Sequence, residues 1–461
     1  MGWKVSDISY SDLNNNIKTN YMFSNKYLIK LFIPLIIEVF LEYLVGLIDS
    51  IMVANVGESA VSAVFLVDFV IAFLISIFAA IATGGAVASG QYIGAKNIEK
   101  ADDSINQLIR FLILFSIIIT VFIYLFRDDI LSILFGSITD EVRNEANIYM
   151  LIVAASIPFL AIYNGGASMF RTIGNSKISM KIMISMNILN VIGNAVLIYV
   201  FKMGISGAAI STLISRVGSA LIIIILGLNK NNLIYIKNKI MYKMDLNTIK
   251  RILSVGIPYG IENGMFYFGR LLILSLISTF GTASIAANSV STLIASFEVL
   301  PGMAIGLGLT TVISQCVGAN DYNQTKYYAK KIIAIIYVSQ TITSIIILAL
   351  LPLILNIYNL SAEATSYTYK LSWYHAIMMI IWPLGYSLPV VFRASGDAKF
   401  PMIVASVSMV LCRIVLAYVF ALYFKMGMIG TWIAMFVDWI LKAIIFTYRY
   451  FSNKWIKFVH N

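Results

Sequence analysis

Charged residues and histidines are scarce in this chain of 461 residues. Asp, Glu, Lys and Arg together supply 12% of the sequence, and its two histidines are His375 and His460. Hydrolytic and metal-dependent enzymes need a nucleophile beside a base, or a cluster of metal ligands. The sequence contains neither pattern, which argues against an enzyme.

Cysteine and nucleotide-binding motifs are also nearly absent. The two cysteines, Cys316 and Cys412, lie in different apolar segments, so neither a disulfide nor a metal site is expected. No glycine-rich loop ending in Lys-Ser or Lys-Thr occurs, which argues against an ATP-driven pump. We therefore expect no cofactor, and energy for any transport must come from an ion gradient.

Apolar residues dominate the sequence. They make up 60% of the chain, and the mean hydropathy is +0.87, as is typical of an integral membrane protein. Several stretches are long enough to cross a hydrocarbon core of ~30 Å as helices. They cover residues 27–53, 61–93, 105–126, 146–169, 182–201, 205–228, 252–279, 284–316, 332–356, 369–391, 401–424 and 429–449. The prediction is an all-α membrane protein with twelve transmembrane helices.

The second half of the chain repeats the first. A shift of 224 residues places many residues of the first half on identical residues of the second, and seven pairs outline the repeat. The pairs are Pro34 and Pro258, Glu38 and Glu262, Gly57 and Gly281, Ala63 and Ala287, Gln91 and Gln315, Gly94 and Gly318, and Ala95 and Ala319. Two pseudo-symmetric six-helix bundles (6+6) are therefore predicted, an arrangement typical of transporters.

Domain boundaries and orientation follow from the distribution of Lys and Arg. We expect a cytoplasmic N-terminal segment (1–26), an N-lobe (27–228), a basic cytoplasmic linker (229–251), and a C-lobe with a short tail (252–461). Because positive side chains in short loops are retained in the cytoplasm, both termini are predicted to lie there. The net charge of +11 then reflects topology, and nucleic acid is not an expected partner.

The first span carries three acidic residues on one helix face, Glu38, Glu42 and Asp49. A charge at mid-bilayer costs roughly 2.5 to 3.5 kcal/mol, so such residues are retained where they face a cavity, a partner or a transported ion. Asp49, in the outer half of the span, is the candidate ion ligand. The candidates for a cavity lining are Glu38, Glu42, Asp68, Glu298 and His375. For His375 the preferred alternative is a hydrogen-bonded packing role.

Amide and hydroxyl side chains recur on the fifth and sixth spans. Asn187, Asn190 and Asn194 share one face of the fifth span, and Thr212 lies on the sixth between serines. Together with a carboxylate, these oxygens suit a hard cation. The alternative is that they only join helices by hydrogen bonds worth about 0.6 kcal/mol each.

The C-lobe has different polar chemistry. Glu262 occupies the position of Glu38, and Arg413 replaces Asn190. A buried arginine needs an anion, and we predict an ion-paired network of Glu262, Arg413 and Asp438. The network is either purely structural or has a proton-coupled or gating role.

Several motifs extend these predictions. They are LIDSIMVANVG around Asp49, GQYIGA and SQCVGA at the ends of the second and eighth spans, FRTIGNSK and FRASGDAK after the fourth and tenth, and the passage from Asn187 to Thr212. With them the chain resembles the multidrug and toxic compound extrusion (MATE) transporters over essentially its full length. The resemblance implies two lobes around a central cavity and export by alternating access.

Carried over from this resemblance, the N-lobe cation site falls on Asp49, Asn190, Asn194 and Thr212. Some relatives have a second Asp where Asn194 stands. A single carboxylate favours a monovalent coupling ion, sodium or a proton, and no other metal is expected.

The C-lobe sodium site of one branch is not expected, since Trp382 and Phe266 stand where that branch has acids. The segment PYGIENGMFYFGR with Arg413 resembles instead the multidrug exporters of Gram-positive bacteria.

The predicted function is secondary antiport in a bacterial cell membrane, exporting organic, cationic and amphipathic compounds such as drugs and dyes. The expected partners are the substrate and the lipid bilayer, and the protein is expected to work as a monomer. The alternative is a flippase for a lipid-linked substrate of the same superfamily, which extra spans or a strongly cationic cavity would indicate.

Overall fold

The computed structural model describes residues 21–136, 138–237 and 244–458. Parts of three predicted segments lie outside these residues: 1–20 of the N-terminal segment, 238–243 of the linker and 459–461 of the tail. The chain divides into two compact units, Met1–Gly256 and Ile257–Asn461. This division falls a few residues after the predicted start of the C-lobe at residue 252.

The N-terminal unit is built of helices that follow one another through short turns. They are α1 (Asn25–Ala54), α2 (Glu58–Gly94), α3 (Ile98–Phe135), α4 (Asp140–Ala154), α5 (Ile157–Thr172), α6 (Ser176–Asn194) with a π-helical continuation (Ala195–Val200), and α7 (Gly204–Gly227). Side chains of Ser24 and Thr139 cap the N-termini of α1 and α4.

The C-terminal unit repeats this order. Its helices are α8 (Leu246–Ser278), which begins in the N-terminal unit, α9 (Thr282–Gly318), α10 (Tyr322–Tyr358), α11 (Ala362–Met378), α12 (Trp382–Ala394), α13 (Lys399–Ser408), a π-helix (Met409–Val415), α14 (Leu416–Tyr418), a second π-helix (Val419–Tyr423), and α15 (Gly427–Phe451). A 3-10 helix (Lys454–Phe458) ends the described chain.

The predicted all-helical membrane architecture is confirmed. In the described residues, nine helices are long and apolar enough to cross a membrane, and two bent pairs bring the candidate spans to eleven. The remaining long helix, α8, has 33 residues and carries Glu262 and Arg270, which lower its hydropathy. At 37 residues each, α2 and α9 are ~55 Å long, so they exceed the ~30 Å core.

Two predicted spans, 146–169 and 369–391, are not single helices. Each is a bent pair, α4 with α5 at 47° and α11 with α12 at 50°. Pro158 and Pro383 stand in the first turns of α5 and α12. Proline has no backbone N–H and disfavours helical geometry in the residue before it, which explains a break at this point.

The duplication is visible in the backbone. Residues with positive φ recur in matched pairs at the turns, with values such as 54° at Lys202 and 55° at Lys425. The pairs are Gly57 and Gly281, Lys96 and Asn320, Gly174 and Gly396, Lys202 and Lys425, and Gly204 and Gly427. The two units therefore share turn geometry as well as helix order.

π-Helical segments also occur at matching places. The segment Ala195–Val200 follows Asn194 directly, and Val419–Tyr423 occupies the corresponding place in the C-terminal unit. A π-helix is rare and is often found at functional sites. Hydropathy alone did not distinguish these segments from α-helix.

Candidate ion site and intramembrane polar pairs

Asp49 lies in the second half of α1 and faces two amides of α6, which packs against both α1 and α7. The Asn194 Nδ2 donates to Asp49 Oδ1 at 2.7 Å. With the amide nitrogen of Asn190 turned toward the carboxylate, it donates to Asp49 Oδ1 at 2.7 Å and to Oδ2 at 3.1 Å. The other terminal atom of this amide lies 3.3 Å from Thr212 Oγ1. The four residues predicted for the cation site therefore lie together.

The site is asymmetric in its exposure. Asn190 and Asn194 are buried, whereas Asp49 is half-exposed. The buried Asn194 Oδ1 has no hydrogen-bond partner. An unpaired acceptor of this kind is costly unless water or a cation completes it. The amide nitrogens face the carboxylate in this structure, but the side chains present, a carboxylate, two amides and a hydroxyl, are of the kinds that bind a hard monovalent cation through oxygen.

Close helix packing holds α6 against α7 at this point. Ser211 Oγ donates to the backbone oxygen of Asn190 at 2.7 Å. A β-carbon at Gly193 would overlap with Ser211, so glycine allows the two helices to approach. Asn187 Nδ2 donates to the backbone oxygen of Leu41 on α1, which is the helix-joining role considered as the alternative, whereas Ser215 Oγ donates to Ser211 within α7.

Glu38 is not part of an open cavity lining. It is buried on α1 and accepts hydrogen bonds from Ser179 Oγ at 2.6 Å and Tyr163 Oη at 3.3 Å. Arg171 Nη1 on α5 lies 3.2 Å from Glu38 Oε1. By contrast, Glu42 is exposed one turn later. The predicted acidic stripe therefore divides into a buried ion pair, an exposed carboxylate and the Asp49 site.

The C-terminal unit contains the counterpart of this ion pair. Arg393 Nη1 donates to Glu262 Oε2 at 2.8 Å, and its guanidinium lies 4.1 Å from the ring centroid of Tyr259. Both acids and both arginines keep the repeat spacing, Glu38 with Glu262 and Arg171 with Arg393. The recurrence of both residues at the repeat spacing is a signal in the sequence from which this ion pair could have been predicted.

The comparisons with known proteins agree with this duplicated architecture. The MatE family model matches residues 34–196 and again 258–419, which is more than half of the chain. The chain belongs to the MatE family.

Full-length relatives of this MatE protein include two from Bacillus subtilis. The uncharacterized transporter YisQ is 26% identical, with 92% of this chain and 93% of YisQ covered. The probable multidrug resistance protein YoeA is 24% identical over the same shares. A solved structure of a MATE family transporter of the MOP superfamily, in an outward-facing conformation, has a TM-score of 0.87 at 21% identity, covering 94% of this chain and 96% of the other. The MatE protein is therefore a multi-pass membrane transporter and not an enzyme.

The predicted network of Glu262, Arg413 and Asp438 is wrong as an ion-paired network. Glu262 pairs with Arg393, and Asp438 Oδ2 accepts from Lys442 Nζ at 2.8 Å, one turn along α15. The guanidinium of Arg413 lies 5.5 Å from the ring centroid of Phe266. In the described chain no ion pair joins the three predicted residues. The two carboxylates are instead paired with Arg393 on α12 and Lys442 on α15.

Glu298 and His375 were predicted separately as cavity lining, and the structure pairs them. Both are buried, and His375 Nδ1 lies in close hydrogen-bonding contact with Glu298 Oε2. The Trp432 and Trp439 rings meet the imidazole edge-on, at centroid distances of 6.0 and 5.3 Å. The hydrogen-bonded role considered for His375 is therefore observed. Sequence reasoning missed its partner because the two residues are 77 positions apart.

Asp68 on α2 is exposed and accepts from Tyr149 Oη at 3.3 Å. It stays a candidate for a cavity lining, as does Glu42.

The described start of the linker is attached to α3. Asp102 Oδ1 accepts from the backbone nitrogen of Tyr235 at 3.0 Å, and Asn106 exchanges hydrogen bonds with the backbone of Tyr235 and Lys237. Lys237 Nζ lies 2.8 Å from carboxylate oxygens of Asp102 and Asp103, and these hydrogen bonds raise the pKa of its ammonium group. Residues 229–237 thus form no helix, and the hydrogen bonds of Tyr235 and Lys237 attach this segment to α3.

Proposed function

We propose that this MatE transporter exports organic, cationic and amphipathic compounds across a bacterial cell membrane in exchange for sodium or protons. YoeA is named a probable multidrug resistance protein, and a Staphylococcus aureus relative, MepA, is named a multidrug export protein. These names and the Asp49 site support the proposal together. In this proposal both termini are cytoplasmic, which a cytoplasm-dependent fluorescent fusion at the C-terminus would check.

The observation that carries the proposal is the half-exposed Asp49 carboxylate held by two buried amides. Its single negative charge matches one monovalent ion, and in the described residues no three His, Cys, Asp or Glu side chains lie close enough to bind a metal together. Rotation of the Asn190 amide would exchange its nitrogen for its oxygen beside Asp49. The Asn190 side chain can therefore donate a hydrogen bond to the Asp49 carboxylate through its nitrogen or bind a cation through its oxygen.

The position of the site supports a coupling between ion binding and helix geometry. Asn194 is the last residue of α6 before the π-helical turn Ala195–Val200. In a π-helix the backbone hydrogen bonds differ from those of an α-helix, so a change between the two shifts the register of a helix. An ion bound at Asp49 would thus lie beside the junction between α6 and its π-helical continuation.

The test is dye export from proteoliposomes under an imposed sodium or proton gradient. Asp49→Asn keeps the size of the side chain and removes its charge, and we expect a loss of coupled export of at least about tenfold, or about 1.4 kcal/mol. Glu58→Gln, an exposed carboxylate in the first turn of α2, is the matched control and should export normally. If Asp49→Asn still couples export to either gradient, the proposal fails.

A further inference from the structure

The buried pair of Glu298 and His375 lies in the C-terminal unit, apart from the Asp49 site. The two side chains are 0% and 3% exposed, on α9 and α11. Their close contact between Nδ1 and Oε2 requires a proton, because two lone pairs facing each other would repel. Nδ1 therefore carries a hydrogen toward the carboxylate, and a second proton on Nε2 would turn the neutral imidazole into an imidazolium.

The N-terminal unit shows that the scaffold does not need an ionisable pair here. In the repeat register, Leu74 stands at the position of Glu298 and Val153 at that of His375. Both are buried members of the apolar core of their unit. The N-terminal unit packs two aliphatic residues at these positions, whereas the C-terminal unit has a carboxylate and an imidazole there. Packing of the shared fold therefore does not require the ionisable pair.

Several buried polar groups without hydrogen-bond partners lie on α9 and on the helices that pack against it. Glu298 Oε1 has no hydrogen-bond partner, and neither does Ser372 Oγ, one turn before His375 on α11. On α10, the amide of Gln340 is buried with both terminal atoms unpaired, and a β-carbon at Gly302, one turn after Glu298, would overlap with it. Gln340 thus contacts α9 one turn from a carboxylate that is already paired with its histidine.

A further donor follows from the register of α9 against α10. The two helices follow each other through a short turn and pack together, so they are antiparallel, with Gly302 beside Gln340 and Val290 and Ile294 in one core cluster with Ile347 and Leu351. This register places Ser344 at the level of Glu298, and Ser344 Oγ is buried without a partner. The donors are therefore spread over two neighbouring helices.

We propose that Glu298 and His375 form a proton-binding site of the C-terminal unit, distinct from the Asp49 site. In the loaded state the imidazolium and the carboxylate are together neutral. Release of the Nε2 proton to water leaves a neutral imidazole, still donating through Nδ1, and gives the pair a net charge of −1 on the carboxylate. The amide of Gln340 and the hydroxyls of Ser344 and Ser372 have no other hydrogen-bond partner, so they are available to stabilise this charge.

Other titratable groups on the adjoining helices do not account for such a proton. Those at neighbouring positions are Tyr337 on α10, Tyr374 on α11, Tyr386 on α12, and Asp438 and Lys442 on α15. Tyrosine titrates near pH 10, and Asp438 and Lys442 neutralise each other as an ion pair. Glu298 and His375 are thus the pair to which the proposal assigns the proton.

Trp432 and Trp439 make the site observable without transport. Imidazolium quenches indole emission more strongly than neutral imidazole, and both rings touch His375 edge-on. We expect tryptophan emission of the purified protein to rise with pH in a one-proton step between about pH 5 and 9. The step should disappear in His375→Gln and in Glu298→Gln. A wild-type protein without the step, or a His375→Gln variant that retains it, would overturn the proposal.

The repeat supplies a variant that preserves packing. Glu298→Leu combined with His375→Val copies the residues of the N-terminal core and keeps both tryptophans, so loss of the step in this variant cannot be attributed to failure to fold. Asp49→Asn should retain the step. This separates a failure of the C-terminal proton site from a failure of the proposed cation site.

Proton-driven dye export in proteoliposomes tests whether the bound proton is used in coupling. We expect the double variant to lose at least about tenfold of the proton-driven rate. If a proton gradient drives no export in the wild type, or drives the double variant equally well, the pair is not a coupling site.

Discussion

The ion pair between Glu38 and Arg171 permits a quantitative prediction. Glu38 has a side chain 5% exposed, and Arg171 is the one cation paired with it in the described structure. Removing one partner of a buried pair typically costs about 3 to 5 kcal/mol, because the other charge remains buried. Arg171→Gln keeps a polar side chain of similar length and removes the charge.

Proton uptake sets an upper limit to this cost. A glutamate with the ordinary pKa of about 4.3 can be neutralised at pH 7 for about 4 kcal/mol, and at pH 5 for about 1 kcal/mol. The destabilisation by Arg171→Gln should therefore be at most about 4 kcal/mol at pH 7 and about 1 kcal/mol at pH 5. The difference in stability between Arg171→Gln and the wild type should therefore become smaller as the pH falls.

The assay is thermal unfolding of the purified protein in detergent at both pH values, followed by size-exclusion chromatography. At 2 to 4 °C per kcal/mol, Arg171→Gln should lower Tm by up to about 8 to 16 °C at pH 7 and by up to a few degrees at pH 5. Arg393→Gln is the matched control: Glu262 has a side chain 21% exposed, so water offsets part of its loss and the effect should be smaller.

Glu38→Gln added to Arg171→Gln removes the unpaired charge, so the double variant should recover most of the lost Tm at pH 7. Equal destabilisation of Arg171→Gln at pH 5 and pH 7, or a double variant as unstable as the sum of the two single changes, would refute this reasoning.

Two further predictions concern packing and the linker. Gly193→Ala brings a methyl group into Ser211, and we expect a loss of about 1 to 3 kcal/mol in the thermal assay, restored in part by adding Ser211→Gly; an unchanged Tm would contradict the close approach of α6 and α7. Asp102→Ala removes the acceptor that holds the linker, so tryptic cleavage after Lys237 should accelerate severalfold, whereas Glu99→Gln, exposed in the first turn of the same helix, should leave it unchanged.

The helices were predictable because hydropathy and length decide whether a segment spans a bilayer. The two bends were not, since they depend on Pro158 and Pro383, which hydropathy does not weigh. The prediction that Asp49, Asn190 and Asn194 come together succeeded for a geometric reason. Residues at helical spacing on α6 share a face, and a face bearing two amides in a membrane turns toward another polar group.

The pairings across helices were harder to predict. Arg171 belongs to the repeated motif FRTIGNSK, and Glu38 belongs to the acidic face of the first span. Nothing in either pattern alone joins the two residues, although both recur together in the second copy. The contact of Glu298 with His375 left no such trace, because neither residue is repeated and the helices that bring them together are separated along the chain by α10. Only the packing of α9 against α11 reveals it.

The differences between the copies explain why the proposed sites are not symmetric. The position of Asn190 in the first copy is taken by Arg413 in the second, and its fixed charge, stacked on Phe266, would repel a cation there. A cation site of the C-terminal unit must therefore use other helices. The pair that contains Glu298, at a position where the first copy has the core residue Leu74, lies on such helices. Duplication thus preserved the ion pairs of α5 and α12 while the two copies acquired separate ionisable centres, so the variants that abolish one centre should leave the other intact.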